Sequence, residues 1–189
     1  MLSLLVFAIG IILVSVGISL DLYISSLFYL GEKQFVLQNL NLITIIARKI
    51  FLPFLIVYIF ILPLISFYLP IQKIYFNYKF NLKQIFFVFV LSLFNLIVVV
   101  NIVLKNFWGR GRPNDVFEFG GDKIFTPWFK YSDACSSNCS FVSGDASVGF
   151  SLIVFYLITK NIIFFWLALV SGLFLGVIRI LEGGHFISD

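Results

Sequence analysis

The chain carries several uninterrupted apolar runs, each about as long as a lipid bilayer is thick. No other feature limits its possible folds as strongly. A hydrocarbon core of about 30 Å takes about 20 residues of helix. Leu2–Leu20 is one such run without a charge, Ile50–Leu69 a second and Ile85–Leu104 a third. Ala146–Thr159 and Asn161–Ile178 follow, split only by Lys160. A single helix through both would be about 50 Å long at 1.5 Å per residue. The spacing therefore predicts a tight helical hairpin turning at Thr159-Lys160-Asn161. The fourth helix must then borrow residues before Ala146, which draws Ser143 toward the membrane surface. The expected architecture is an all-α, polytopic membrane helix bundle with five spans in this chain.

Composition agrees. Of 189 residues, 61% are hydrophobic and 12% charged, against roughly 45–50% and about 25% in ordinary soluble domains. A soluble fold could not bury this much Phe, Ile, Leu and Val. That excludes a soluble enzyme, a disordered chain and a nucleic-acid-binding domain. The net charge is +4, but the basic residues are scattered and form no stripe for nucleic acid. The partner they imply is a membrane and an anionic ligand, with no nucleic acid.

Several details refine the spans. Leu2–Leu20 has no basic leader and no small-residue cleavage site after it, and reads as an uncleaved first span. Pro53 and Pro63 lie inside the second run, where proline is tolerated and should kink the helix. Asn95 and Asn101 are expected to hydrogen-bond between helices. Asp21–Lys49 is too polar to cross and reads as a surface segment, with an interfacial helix near Gln38–Lys49. Trp108 and Trp128 suit the membrane interface.

The unusual polar residues gather in three places, all on one side of the predicted membrane. The first is Lys105-Asn-Phe-Trp-Gly-Arg-Gly-Arg112-Pro113. Its glycines and proline prevent a regular helix, so the chain can fold back and aim several cations at one point. Lysine offers a point charge, and arginine a planar fork that fits phosphate bidentately. Taken alone, the segment reads equally well as a basic cluster on lipid headgroups. The second is Ser143-Gly144-Asp145 at the head of the fourth helix, where free N–H groups favour an anion. Ser143 or Asp145 could instead be a simple helix cap. The third is Arg179-Ile-Leu-Glu-Gly-Gly-His185-Phe-Ile-Ser-Asp189. His185 is the sole histidine. With Asp189 four residues on, the two share a face of a new helix. A carboxylate on one imidazole nitrogen fixes the tautomer and leaves the other free to attack.

Together the three segments resemble the type 2 phosphatidic acid phosphatase superfamily. Its first motif, K-x6-R-P, is matched by Lys105 and Arg112-Pro113. Its second, P-S-G-H, is matched by Ser143-Gly144, with Val142 for proline and Asp145 for histidine. Its third, S-R-x5-H-x3-D, is matched by Arg179, His185 and Asp189, with Ile178 for serine. Gly121-Asp-Lys-Ile-Phe and Asn138-Cys-Ser-Phe-Val-Ser-Gly-Asp-Ala-Ser look most like the lipid A 4′-phosphatases of that superfamily.

The resemblance implies a lipid phosphomonoesterase of the bacterial inner membrane, with its site facing the periplasm. His185 would form a phosphohistidine and Asp189 would orient it. Lys105, Arg112, Arg179, Ser143 and Gly144 would hold the phosphate. Asp145 would act on the leaving group or only position a neighbour. The resemblance implies no cofactor, and one histidine with scattered carboxylates offers no plausible metal cage. Residues 1–189 read as one membrane-embedded phosphatase domain without the family's sixth span, which His185 and Asp189 would open. The alternatives are a polyprenyl-diphosphate or phosphatidate phosphatase, or a non-catalytic protein that binds anionic lipid headgroups.

Orientation rests on loop charge. Five spans put Lys73, Lys79, Lys83 and Lys160 on one side and the other nine basic residues on the opposite side. The positive-inside rule would turn the second side to the cytoplasm. Several of those nine, however, have a reason to be basic as phosphate ligands. The short Pro70–Gln84 loop carries three lysines and no acid. The expected topology therefore places the site in the periplasm. There Cys135 and Cys139 should form a disulfide.

Overall fold

The computed structural model describes residues 20–37, 41–68, 75 and 78–189. The expected first span, up to Ser19, and much of the loop after Leu69 lie outside the described residues. Helices dominate. Three of those described are long and apolar enough to cross a membrane. We label them α1 (Leu42–Ser66), α2 (Leu82–Phe107) and α5 (Ile162–Leu181). Between them lie two short helices, α3 (Gly144–Phe150) and α4 (Ile153–Thr159). They make one shorter apolar stretch, Gly144–Thr159. Ahead of α1, residues 20–27 are helical. A small antiparallel hairpin follows, β1 (Tyr29–Gly31) with β2 (Gln34–Phe35).

The predicted hairpin at Thr159-Lys160-Asn161 is present. Lys160 adopts the left-handed conformation that ends α4. The Asn161 side chain accepts from the Ile163 N–H at 3.0 Å and so opens α5. The second span begins earlier than its first uncharged residue suggests. Asn41 caps α1 by accepting from the Ile43 N–H at 2.9 Å. The helix then runs through Arg48 and Lys49, absorbing the expected interfacial helix. Arg48 has a counter-ion there, Asp145 at 3.0 Å, and a long cationic side chain can lie along apolar surface with its head in a polar place.

Both prolines of α1 follow a wide π turn. Ile46–Phe51 precedes Pro53, and Val57–Ile61 precedes Pro63. Proline breaks the regular ladder, and such turns re-satisfy the backbone groups it frees. Asn101 differs from expectation. Its amide donates at 2.6 Å to the Leu96 carbonyl of its own helix, because the wide turns of the second half of α2 bring that carbonyl within reach.

The chain divides into two compact units. One holds residues 40–102 and 144–178. Its aromatic centre is Tyr58, Tyr75, Phe80, Phe155 and Phe164, with ring centroids 4.9–5.9 Å apart in successive pairs. In the same unit α3 crosses α5 at closest approach, where a Cβ on Gly149 would run into the Gly172 backbone. Ser171 there donates to the Gly149 carbonyl at 3.2 Å. Small residues with a hydroxyl bridge are how membrane helices pack without a hydrophobic drive between them. The other unit holds residues 1–39, 103–143 and 179–189. Its core is Phe35, Val116, Phe119 and Phe186.

Candidate active site

The second unit brings the first and third sequence segments together with Ser143. Backbone bonds set the frame. The loop after Trp108 pairs with the chain that returns to it: Ser132 N–H to Trp108 O (3.0 Å), Cys135 N–H to Gly109 O (3.0 Å) and Ser140 N–H to Arg110 O (2.9 Å). Asn114 donates to Gly183 O at 3.1 Å, and Ser143 donates to Asp189 O at 3.0 Å. Each segment is thus tied to the third. Trp108 and Trp128, expected at the membrane interface, both brace this loop. The Trp108 indole donates to the Trp128 carbonyl at 2.6 Å, and both rings lie beside Phe141.

The third segment turns sharply after α5. Gly184 and His185 both donate their N–H groups to Arg179 O. Gly183 takes a positive φ of 65°, and a Cβ there would strike the Phe35 ring. His185 and Asp189 are joined by turns rather than by the expected new helix. The turn achieves the same meeting: His185 Nδ1 lies 3.6 Å from Asp189 Oδ2 and 3.5 Å from Ser140 Oγ. A shift of a few tenths of an ångström would complete a hydrogen bond, and apo sites commonly tighten in this way. Asp189 Oδ2 also accepts from Ser140 Oγ and, at 2.7 Å, from the Phe186 N–H.

Burial shapes the electrostatics. His185 is 2% exposed. Burial pushes its pKa below the ordinary 6.5, Asp189 works against that shift, and the Arg179 and Arg112 charges add to it. The neutral imidazole, which has a lone pair to give, is therefore favoured. Burial alone would raise the pKa of Asp189. The bond with His185 and the charge of Arg110 overcome it and hold the carboxyl below its usual range.

The cations predicted as phosphate ligands occupy this unit. Lys105 Nζ donates to Asn138 Oδ1 at 3.2 Å, and Arg112 Nη2 donates to the Asn138 carbonyl at 2.8 Å. Asn138 has a left-handed φ of 50° and lies inside the short loop closed by the Cys135–Cys139 disulfide. The expected disulfide is present, with Cα atoms 5.6 Å apart. Arg179 is 6% exposed and pairs with Glu182. Gly144 and Asp145 belong to the other unit, in which Asp145 pairs with Arg48. Among the described residues no group of three or more His, Cys, Asp or Glu side chains is gathered as a metal site would need.

Four residues around His185 and the cations have no role assigned from sequence: Arg110, Asn138 and Ser140, which lie in the quoted stretches, and Asp21. Arg110 is wholly buried. Its Nε donates to Thr126 O at 2.8 Å, its Nη1 to Asp189 and Ser188, and its Nη2 to Asp21 at 2.7 Å. The guanidinium carbon lies 4.4 Å from the Phe186 ring centroid. In the sequence Arg110 is an arginine between two glycines in the basic segment, with nothing to set it apart from the other cations there. Asp21 carried no signal beyond following an apolar run.

The arrangement supplies a neutral imidazole with a carboxylate behind it, and cations in the same unit that can neutralise a multiply charged oxyanion. A family model described as PAP2 superfamily matches residues 84–189. A lipid A 4′-phosphatase of Francisella tularensis subsp. novicida is 48% identical over 111 residues, covering 57% of this chain and 50% of the relative. Proteins of the same description from Rhizobium leguminosarum and Rhizobium etli are 34% and 33% identical over 96 residues, covering 49% of this chain and 41% and 37% of the relatives. The chain thus spans about half the length of these relatives or less. No solved structure matches.

Proposed function

This chain belongs to the PAP2 superfamily, and from that premise we propose that it is a multi-pass membrane phosphatase that removes a phosphate monoester from lipid A, at the 4′ position. The observation that carries the reading is the His185–Asp189 pair, buried with Ser140 and under the charges of Arg112 and Arg179. The names of the relatives support the choice of lipid A.

In this reading His185 Nε2 attacks phosphorus while Nδ1–H faces Asp189. The P–N bond forms as the P–O bond to the sugar breaks, leaving a phosphohistidine. The leaving oxygen takes up a proton from water. Water then attacks phosphorus, releases phosphate and returns the imidazole. Lys105, Arg112 and Arg179 stabilise the charge on the transferring group, which is the main demand of phosphoryl transfer. Ser143 and Gly144, at the second-motif positions, contribute hydroxyl and backbone N–H contacts. Asp145 is assigned a positioning role, because its carboxylate is already engaged by Arg48. No step calls for a metal or cofactor. Residues 1–189 belong to a single membrane-embedded phosphatase domain in the bacterial inner membrane, with the site on the periplasmic side.

Phosphate release by detergent-solubilised protein tests the activity. Lipid A, phosphatidate and a polyprenyl diphosphate, supplied in parallel, test the substrate. Release from lipid A above the other two supports the assignment. Preference for either of the others moves it to that substrate, and binding without release from any would make the protein a headgroup binder.

A further inference from the structure

Asp21 and Arg110 lie behind the proposed nucleophile, and no motif of the family covers Asp21, which precedes the matched residues 84–189. Both side chains are fully buried. Asp21 Oδ2 accepts from Arg110 Nη2 and from Ser188 Oγ, each at 2.7 Å, and its Oδ1 accepts from the Ser188 N–H at 3.0 Å. Arg110 Nη1 donates to Asp189 Oδ1, whose other oxygen faces His185 Nδ1. One guanidinium therefore lies between two buried carboxylates.

Counting charge gives the consequence. Arg110 with Asp189 alone would be a closed, neutral pair, and the imidazole would face no net charge from them. Asp21 supplies a second anion. The three groups then carry a net charge of −1, next to a ring that turns positive when it bonds to phosphorus. In a buried setting such a difference acts with little screening. A buried charge that lacked a partner would be costly, so the cluster is best matched when the ring is cationic.

We infer that Asp21 is a positioning residue that neutralises Arg110 and so leaves the negative charge of Asp189 available to the charged form of His185. This rests on the reading of His185 as nucleophile. Two further charges, those of Arg179, which is itself paired with the buried Glu182, and of Arg112, oppose the protonation of His185. Asp21 offsets that opposition from the far side of Arg110.

Because His185 is the sole histidine, ring-15N labelling of the full chain in detergent reports its titration and tautomer without overlap. Asp21→Asn keeps a carbonyl oxygen for Ser188 and removes the charge. The expected result is a fall in kcat of about tenfold or more with KM nearly unchanged, because the interaction strengthens only as the ring becomes charged. The imidazole titration should move to lower pH by about half a unit or more. Asp21→Glu should retain the wild-type titration. The double variant Asp21→Asn/Arg110→Met removes both charges and restores a net −1 on Asp189. Its titration should return toward wild type, and kcat should exceed that of Asp21→Asn alone. If Asp21→Asn does not fold, the double variant decides by the same titration. Unchanged titration in Asp21→Asn, a loss confined to KM, or a double variant no closer to wild type than the single would each overturn the inference. The titration is read without substrate, so it stands apart from the nucleophile assignment, which fails if His185→Ala keeps its turnover.

Discussion

At the scale of single residues, the account depends on His185 being neutral until it reacts. Free imidazole protonates near 6.5, and burial lowers that value here. The folded protein therefore keeps the reactive form at pH values where an exposed histidine would already be charged. The acid limb of kcat/KM, which reports the free enzyme, should have its His185 midpoint below 6.5. A midpoint at or above 6.5 would contradict the burial argument. Asp145 allows a second test. If it positions Arg48 rather than giving a proton, Asp145→Asn should slow a sugar phosphate and an aryl phosphate by similar factors, because the aryl leaving group needs no acid. A large loss on the lipid with little on the aryl ester would make Asp145 the acid. The meeting of His185 and Asp189 was legible from their spacing of four residues, whereas the phosphate-binding role proposed for the motif cations came from the resemblance to the family. Arg110 was visible only as one more cation. Its role depends on Asp21, which lies 89 residues away and has no local pattern to announce it.

At the scale of elements, among the described residues, hydrophobic runs located the helices well and their ends poorly. The turn at Lys160 was legible because two spans cannot be one helix. The start of α1 was not, since its rule assumed that Arg48 and Lys49 end a span, while a counter-ion from α3 lets the helix pass through Arg48. The disulfide loop was expected from its compartment, but its use was not. It holds Asn138 in the left-handed conformation from which one residue engages both Lys105 and Arg112. Thiol labelling of denatured, unreduced protein should find neither cysteine reactive; two labels per chain would contradict the bond. Reduction, or Cys135→Ser with Cys139→Ser, should raise KM about three- to tenfold with a smaller change in kcat, because the loop aligns binding groups rather than the attacking atom. Stability should fall by about 2 kcal/mol, the low end for disulfides, because the closed loop is short. A fall in kcat with constant KM would mean that the loop acts on chemistry instead.

For the whole molecule, composition alone sufficed to place the chain in a membrane, because this much apolar surface has no other stable environment. The proposed orientation rests on the chemistry of the site, since loop charge by itself points the other way. The proposed topology puts Lys160 in the cytoplasm and Lys130 in the periplasm. Single cysteines at those positions, with Cys135 and Cys139 replaced by serine, test it in intact spheroplasts. A membrane-impermeant maleimide should label position 130 and spare position 160; the reverse pattern would invert the topology. The central claim is that His185 carries a phosphate taken from lipid A. The most direct measurement is mass spectrometry of lipid A from a bacterial host that makes the wild-type chain or His185→Ala at equal abundance. The account predicts lipid A lacking its 4′-phosphate with the wild type and fully phosphorylated lipid A with His185→Ala. Equal dephosphorylation by both chains would contradict it.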